Sequence, residues 1–146
     1  MEFDPTKDQR EALKTIIAWW QNPEHPYITL GGYAGTGKTS LLSAIRQILA
    51  KLNPMLVVAF CAFTGKASQV LESTLSSHRA RKEKDSVSTI HSLIYAPVIN
   101  KQGHITSWKR KSSLKADLII VDEASMIDRD IWEDLMSFGL PILAVG

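Results

Sequence analysis

The sequence predicts an α/β fold: a parallel sheet flanked by helices, with a small inserted β-hairpin. Apolar runs of strand length alternate with segments of helical period. A glycine-rich turn, Gly31 to Gly37, joins one strand to a helix, and a second apolar strand, Leu118 to Val121, runs into the acid pair Asp122-Glu123. Strands apolar throughout are buried on both faces, and strands alternating with helices close into a parallel sheet through right-handed crossovers.

The first helix is predicted over Thr6 to Gln21, where Leu13, Ile16, Ile17 and Trp20 recur at helical spacing and Thr6 with Gln9 fits a capping box. A short strand, Tyr27 to Leu30, leads into the glycine-rich turn. The second helix carries Leu41, Leu42, Ile45, Ile48, Leu49 and Leu52 on one face and stops at Asn53-Pro54. Met55 to Phe63 reads as a buried strand, Lys66 to Leu75 as a helix, the basic stretch beyond as a loop, and Ser88 to Ile94 as a short helix. Tyr95 to Ile99 and His104 to Trp108 flank Asn100-Lys101-Gln102-Gly103, a connection suited to a hairpin. After Leu118 to Val121, Asp128 caps a helix carrying Ile131, Trp132, Leu135 and Met136, and Pro141 to Val145 is the last strand.

With 146 residues, 45% hydrophobic and 22% charged, the chain has the composition of a globular unit, and this length buries about two-thirds of the surface of its unfolded form. Collagen-like, disordered and disulfide-stapled classes are excluded. Cys61, the one cysteine, lies in an apolar run and reads as a small buried hydrophobe. No apolar run spans a membrane and the N-terminus lacks a signal pattern, so a cytoplasmic protein without membrane contact is expected. The net charge of +2 conceals an asymmetry: Ser76 to Lys115 holds nine basic residues against Glu83 and Asp85. Such a sector suits a polyanion and also suits a solvated surface.

The chemistry concentrates in two strings. Gly32-Tyr33-Ala34-Gly35-Thr36-Gly37-Lys38-Thr39 matches the phosphate-loop pattern in the required strand-to-helix context. Gly32, Gly35, Thr36 and Gly37 let backbone N–H groups converge on phosphate oxygens at a helix N-terminus. Lys38 reaches the β- and γ-phosphates, and Thr39 ligates Mg²⁺. In the second string, Asp122 holds Mg²⁺ directly or through water while Glu123 orients or deprotonates the attacking water. ATP with Mg²⁺ is therefore the expected cofactor pair, and Lys38, Asp122 and Glu123 are the candidate catalytic residues. Asp117 reads as a surface charge, and Arg46 and Arg129 as surface salt-bridge residues.

The ordered set of motifs resembles the superfamily 1B DNA helicases of the RecD-like and phage Dda-like type, over almost the whole chain. Gln9 stands where those helicases carry an adenine-reading glutamine. Phe63-Thr64-Gly65-Lys66-Ala67-Ser68 resembles their motif Ia, Ser88-Thr89-Ile90-His91-Ser92-Leu93 their motif Ib, and Asp122-Glu123-Ala124-Ser125-Met126 their motif II. Superfamily 1A enzymes usually carry a glutamine shortly after the acid pair and a far longer insertion before it. The resemblance implies a RecA-like fold, residues 1–146 being the N-terminal motor domain and 95–111 an inserted hairpin or pin region.

Thr64 and Thr89 each open a helix, where hydroxyl and N–H groups can grip DNA phosphates or simply cap the helix. Lys66 can add a phosphate contact, and Phe63 or His91 a stacking surface, although His91 equally suits a partly buried hydrogen-bonded role. Gln9 can likewise be only a capping partner. The basic exit of the hairpin, Lys109-Arg110-Lys111, would follow single-stranded or displaced DNA. By resemblance the partners are single-stranded DNA, a duplex junction, and replication or recombination proteins, in a cytoplasmic, nucleoid-associated or viral host-cell setting, with travel 5′ to 3′.

The helicases continue beyond Ala144-Val145-Gly146 with a γ-phosphate-sensing motif and a second RecA-like domain. The chain is therefore expected to be an N-terminal fragment that binds nucleotide and turns over little alone. Competing readings are a phosphate-loop ATPase that remodels or loads proteins, and a non-catalytic nucleotide- or DNA-binding module.

Overall fold

The computed structural model describes residues 6–31 and 38–146, with the backbone alone at Lys38 and Thr39. Helix α1 (Lys7–Gln21) starts at Thr6 with the predicted capping box, and the Trp19 indole donates to the His25 carbonyl at 2.9 Å, fastening the helix to the segment that enters β1 (Tyr27–Leu30). Then follow α2 (Lys38–Leu52), β2 (Val58–Ala62), α3 (Gly65–Ser77), β3 (Ser86–Thr89) and α4 (Ile90–Ile94). The hairpin β4 (Tyr95–Ile99) and β5 (Ile105–Arg110) comes next, then β6 (Leu118–Asp122), a 3₁₀ turn at Ala124–Met126, α5 (Arg129–Met136) and β7 (Ile142–Val145).

Five strands form one parallel sheet in the order β1-β7-β6-β2-β3. Successive residues of a strand point to opposite faces, which divides the apolar side chains into two layers. Phe60, Leu118, Ile120 and Leu143 pack with Ile16, Leu41, Ile45 and Leu75, so α1, α2 and α3 cover one face. Ala59, Cys61, Ile119, Val121 and Ile142 pack with Ile94 and Leu135, so α4 and α5 cover the other. Cys61 is fully buried on β2, one residue from its C-terminal end, and that burial pushes its thiol pKa well above the ordinary range.

Four expectations change. Ser86–Thr89 is a strand rather than loop and helix: it pairs with β2, and the short helix begins only at Ile90. Its polar residues have no strand signature, and their ladder partner supplies the conformation. The strand predicted over Met55 to Phe63 contracts to Val58–Ala62, leaving Met55 79% exposed. The hairpin is longer on its second side, and Lys109 and Arg110, expected in a basic exit, belong to β5 opposite Ala96 and Tyr95. Arg46, expected at the surface, is 1% exposed and paired with Asp85 at 2.7 Å. Arg129 does form an exposed i,i+4 pair with Glu133.

The hairpin turn uses Gly103 at φ +84°, a conformation that side-chain-bearing residues rarely adopt, while the Asn100 side chain accepts from the Gln102 and His104 N–H groups. At its base the Tyr95 hydroxyl donates to Asp134. Burial, this hydrogen bond and the negative field of Asp134, Asp128 and Asp130 push the Tyr95 pKa up to about 12. Arg110 donates to Ser137 Oγ at 2.6 Å and lies 3.9 Å over the Phe138 ring. The base is therefore docked while Ile99, Ile105 and Trp108 stay exposed.

Candidate functional site

Because the five strands run parallel, their C-terminal ends, at Leu30, Ala62, Thr89, Asp122 and Val145, line one edge of the sheet. Ligands of α/β sheets bind beyond such an edge. Gly31 closes β1, and the backbone of Lys38 and Thr39 opens α2. Gly32, Gly35, Thr36 and Gly37, and the side chains of Lys38 and Thr39, lie outside the described residues.

Asp122 ends β6, two strands from β1 and therefore roughly 10 Å away by the ladder spacing. It is 7% exposed, and its Oδ1 accepts the Glu123 N–H at 2.8 Å. Glu123 adopts the left-handed conformation, φ 57° and ψ 36°, which costs a residue with a side chain about 1 kcal/mol or more. Strained residues of this sort cluster at functional sites. The turn swings the carboxylate across to the start of α3, where Glu123 Oε1 accepts both the Thr64 N–H and the Thr64 hydroxyl at 3.1 Å each. Gly146, where the chain leaves β7, passes close by: a methyl group there would stand 2.8 Å from the Ala124 nitrogen.

Thr64 is engaged in both directions. While donating to Glu123, its hydroxyl accepts the Ala67 N–H at 3.2 Å as the N-cap of α3. Thr89 caps α4, accepting the Ser92 N–H at 3.1 Å and donating to Ser92 Oγ at 3.0 Å. Since Ala62 and Thr89 are ladder partners, the starts of α3 and α4 lie on neighbouring strands. Phe63 and Lys66 are exposed beside Thr64. His91 is also exposed, its ring 4.7 Å from that of Trp108 and 4.8 Å from that of Tyr95, so it joins α4 to the hairpin through an aromatic cluster.

Other predicted residues are placed differently. Gln9 is buried, with its amide oxygen accepting the Thr6 N–H at 2.9 Å, so its capping role is present. Lys109 is exposed on β5, whereas the Arg110 guanidinium is fastened to the end of α5. Asp117 is exposed as expected but also accepts the Val57 N–H at 2.9 Å. Sequence reasoning missed the Thr64–Glu123 link, since the two residues are separated by 59 positions. It also missed the burial of Arg46, although this residue shares the helix stripe of Leu42, Ile45 and Leu49.

A family model described as an AAA domain matches residues 9–146. The chain is 32% identical over 152 residues to the ATP-dependent DNA helicase dda of Enterobacteria phage T4, covering 100% of this chain and 32% of dda. It is 28% identical over 148 residues to the RecBCD enzyme subunit RecD of Haemophilus influenzae, covering 92% of this chain and 22% of RecD. The crystal structure of Pif1 helicase from Candida albicans superposes with a TM-score of 0.61 at 21% identity, over 99% of this chain and 33% of Pif1. The chain thus spans about a third or less of the length of these relatives. No helix among the described residues is long and apolar enough to cross a membrane. By its family match the chain belongs to the AAA domain family, and it shares its fold with the matching part of the Pif1 helicase structure.

Proposed function

We propose that this chain is the N-terminal motor domain of an ATP-dependent DNA helicase that acts inside the cell, binding ATP with Mg²⁺ at the phosphate loop and single-stranded DNA across Thr64 and Thr89. Joined to a second RecA-like domain, it would translocate 5′ to 3′ towards a duplex junction. The observation that carries this reading is the Thr64–Glu123 link, which ties the acid pair of the nucleotide site to the motif expected to grip DNA.

In this scheme Lys38 binds the β- and γ-phosphates, and Glu123 takes the proton of the attacking water. The Asp122 carboxylate and the Thr39 hydroxyl are hard oxygen donors of the kind that holds Mg²⁺, and Asp122 ends its strand at the sheet edge where the backbone of Thr39 opens α2. The bound ion would neutralise charge developing on the phosphates. Glu123 is held away from that task while its Oε1 satisfies two Thr64 donors. A DNA phosphate offers those donors another acceptor, so DNA binding would release the carboxylate for catalysis. Nucleotide and DNA would then act together by favouring the arrangement that both bind better.

The test is phosphate release from Mg-ATP by this chain, by a longer protein with the second motor domain, and by Lys38→Ala in each, with and without an unstructured oligonucleotide at stated salt. Little turnover by the short chain, and DNA-stimulated turnover by the long one that Lys38→Ala abolishes, are the expected results. Turnover indifferent to DNA in the longer protein would replace the helicase reading with an ATPase acting on proteins.

A further inference from the structure

The edge of the sheet opposite the nucleotide site carries a feature that the motor scheme does not use. Helix α3 ends in a Schellman arrangement: the Ala80 N–H bonds to the Leu75 carbonyl at 2.9 Å and the Arg79 N–H to the Ser76 carbonyl at 3.1 Å. The left-handed position that usually belongs to glycine is filled by Arg79, at φ 56°. Ala80 is fully buried, while Arg79, Arg81, Lys82 and Lys84 are exposed with Glu83 as the one acid among them. None of the four cations has a side-chain partner among the described residues.

This turn is held from beneath by a buried charge. The Asp85 carboxylate, 3% exposed as a residue, accepts from Arg46 Nε at 2.7 Å, Arg46 Nη2 at 3.0 Å, the Val58 N–H at 2.9 Å and the Lys82 N–H at 3.0 Å. The Lys82 carbonyl in turn accepts the Asp85 N–H at 3.1 Å. Burying an ion pair is a costly way to stabilise a fold and an effective way to fix a geometry. Here the fixed object is a surface turn whose exposed content is nearly all positive.

We propose that the Arg79–Lys84 turn is a second nucleic-acid contact that grips the phosphate backbone of a duplex, on the edge opposite Thr64 and Thr89. The inference rests on the proposed function, which makes nucleic acid the substrate. The turn has no aromatic side chain on which unpaired bases could stack, as single-strand sites require, and no exposed apolar anchor of the kind on which protein interfaces depend. What it offers is charge, and duplex DNA carries the denser line of phosphates.

The test compares the chain with the triple variant Arg81→Ala, Lys82→Ala, Lys84→Ala in salt titrations against two probes. One is a blunt duplex of about 20 base pairs and the other a single strand of about eight nucleotides. The expected result is duplex affinity about tenfold or more lower, a salt slope shallower by about two to three, and unchanged single-strand affinity and unfolding midpoint. Replacing the staple with the apolar pair Arg46→Met, Asp85→Leu should also weaken duplex binding while every exposed cation remains. If that variant fails to fold, the triple variant carries the test alone. An unchanged duplex slope, equal losses on both probes, or a preference for polyglutamate over duplex would overturn the inference. A chain that binds the single strand but not the duplex overturns it alone, whereas one that binds neither overturns the functional reading with it.

Discussion

The two edges of the sheet use carboxylates in opposite ways. At the N-terminal edge Asp85 accepts four hydrogen bonds, two of them from a buried guanidinium, and fixes a turn containing the left-handed Arg79. At the C-terminal edge the left-handed residue is Glu123 itself, half-buried and joined to Thr64 by two bonds of 3.1 Å. A carboxylate saturated in a dry site cannot exchange partners without a large penalty, whereas one at a half-exposed edge can. The first is suited to holding and the second to switching. In the proposed scheme the molecule thereby separates what keeps it folded from what lets it respond.

The largest effect belongs to the holding edge. Asp85→Ala leaves the Arg46 charge buried without its partner and should cost about 3–5 kcal/mol, read as a lowered denaturant midpoint. Glu123→Gln should change stability by less than about 1 kcal/mol yet reduce turnover of a two-domain protein by about a hundredfold or more. Equal destabilisation by the two substitutions would erase the distinction between the edges. Thr64→Val removes a cap and one of the two bonds to Glu123; stability should fall by about 1 kcal/mol while turnover without DNA rises relative to turnover with it. A Thr64→Val enzyme still as dependent on DNA as the parent would detach the switch from this residue.

The smallest effect concerns the hairpin base, where the Tyr95 pKa rises from 10.0 to about 12. Because the folded value exceeds the unfolded one, the neutral phenol's contribution is complete below pH 10.0 and is lost as pH rises through about 12. Tyr95→Phe should remove that alkaline component from the pH profile of stability. A hairpin base that contributes like the holding edge would instead show a large loss at neutral pH.

What the sequence made legible was local. β2, β6 and β7 are short apolar runs, and their burial on both faces follows from composition alone. The capping box of α1 and the Asp128 cap of α5 each lie within three residues, and both are formed. β3 was illegible because Ser86-Val87-Ser88-Thr89 has no strand pattern of its own; its conformation comes from a neighbour 27 positions earlier in the chain. Arg46 was misread because charge argued for the surface, although its helical position argued for the core. The acid pair was located from local spacing, but nothing local announced that Glu123 would reach Thr64. Long-range pairing decides such contacts, and a single sequence does not encode it visibly.

The burial of Cys61 has a consequence for measurement. A thiol fully buried on β2, with its pKa raised by that burial, is unreactive towards alkylating reagents while the sheet is closed, because the thiolate is the reactive form. Its labelling rate therefore reports how often the sheet opens around β2, as amide exchange does for backbone groups. With a single cysteine in the sequence, that reading comes from one known position and needs no engineered probe. Followed with nucleotide or DNA present, it would measure how firmly each ligand closes the sheet, independently of any enzymatic rate.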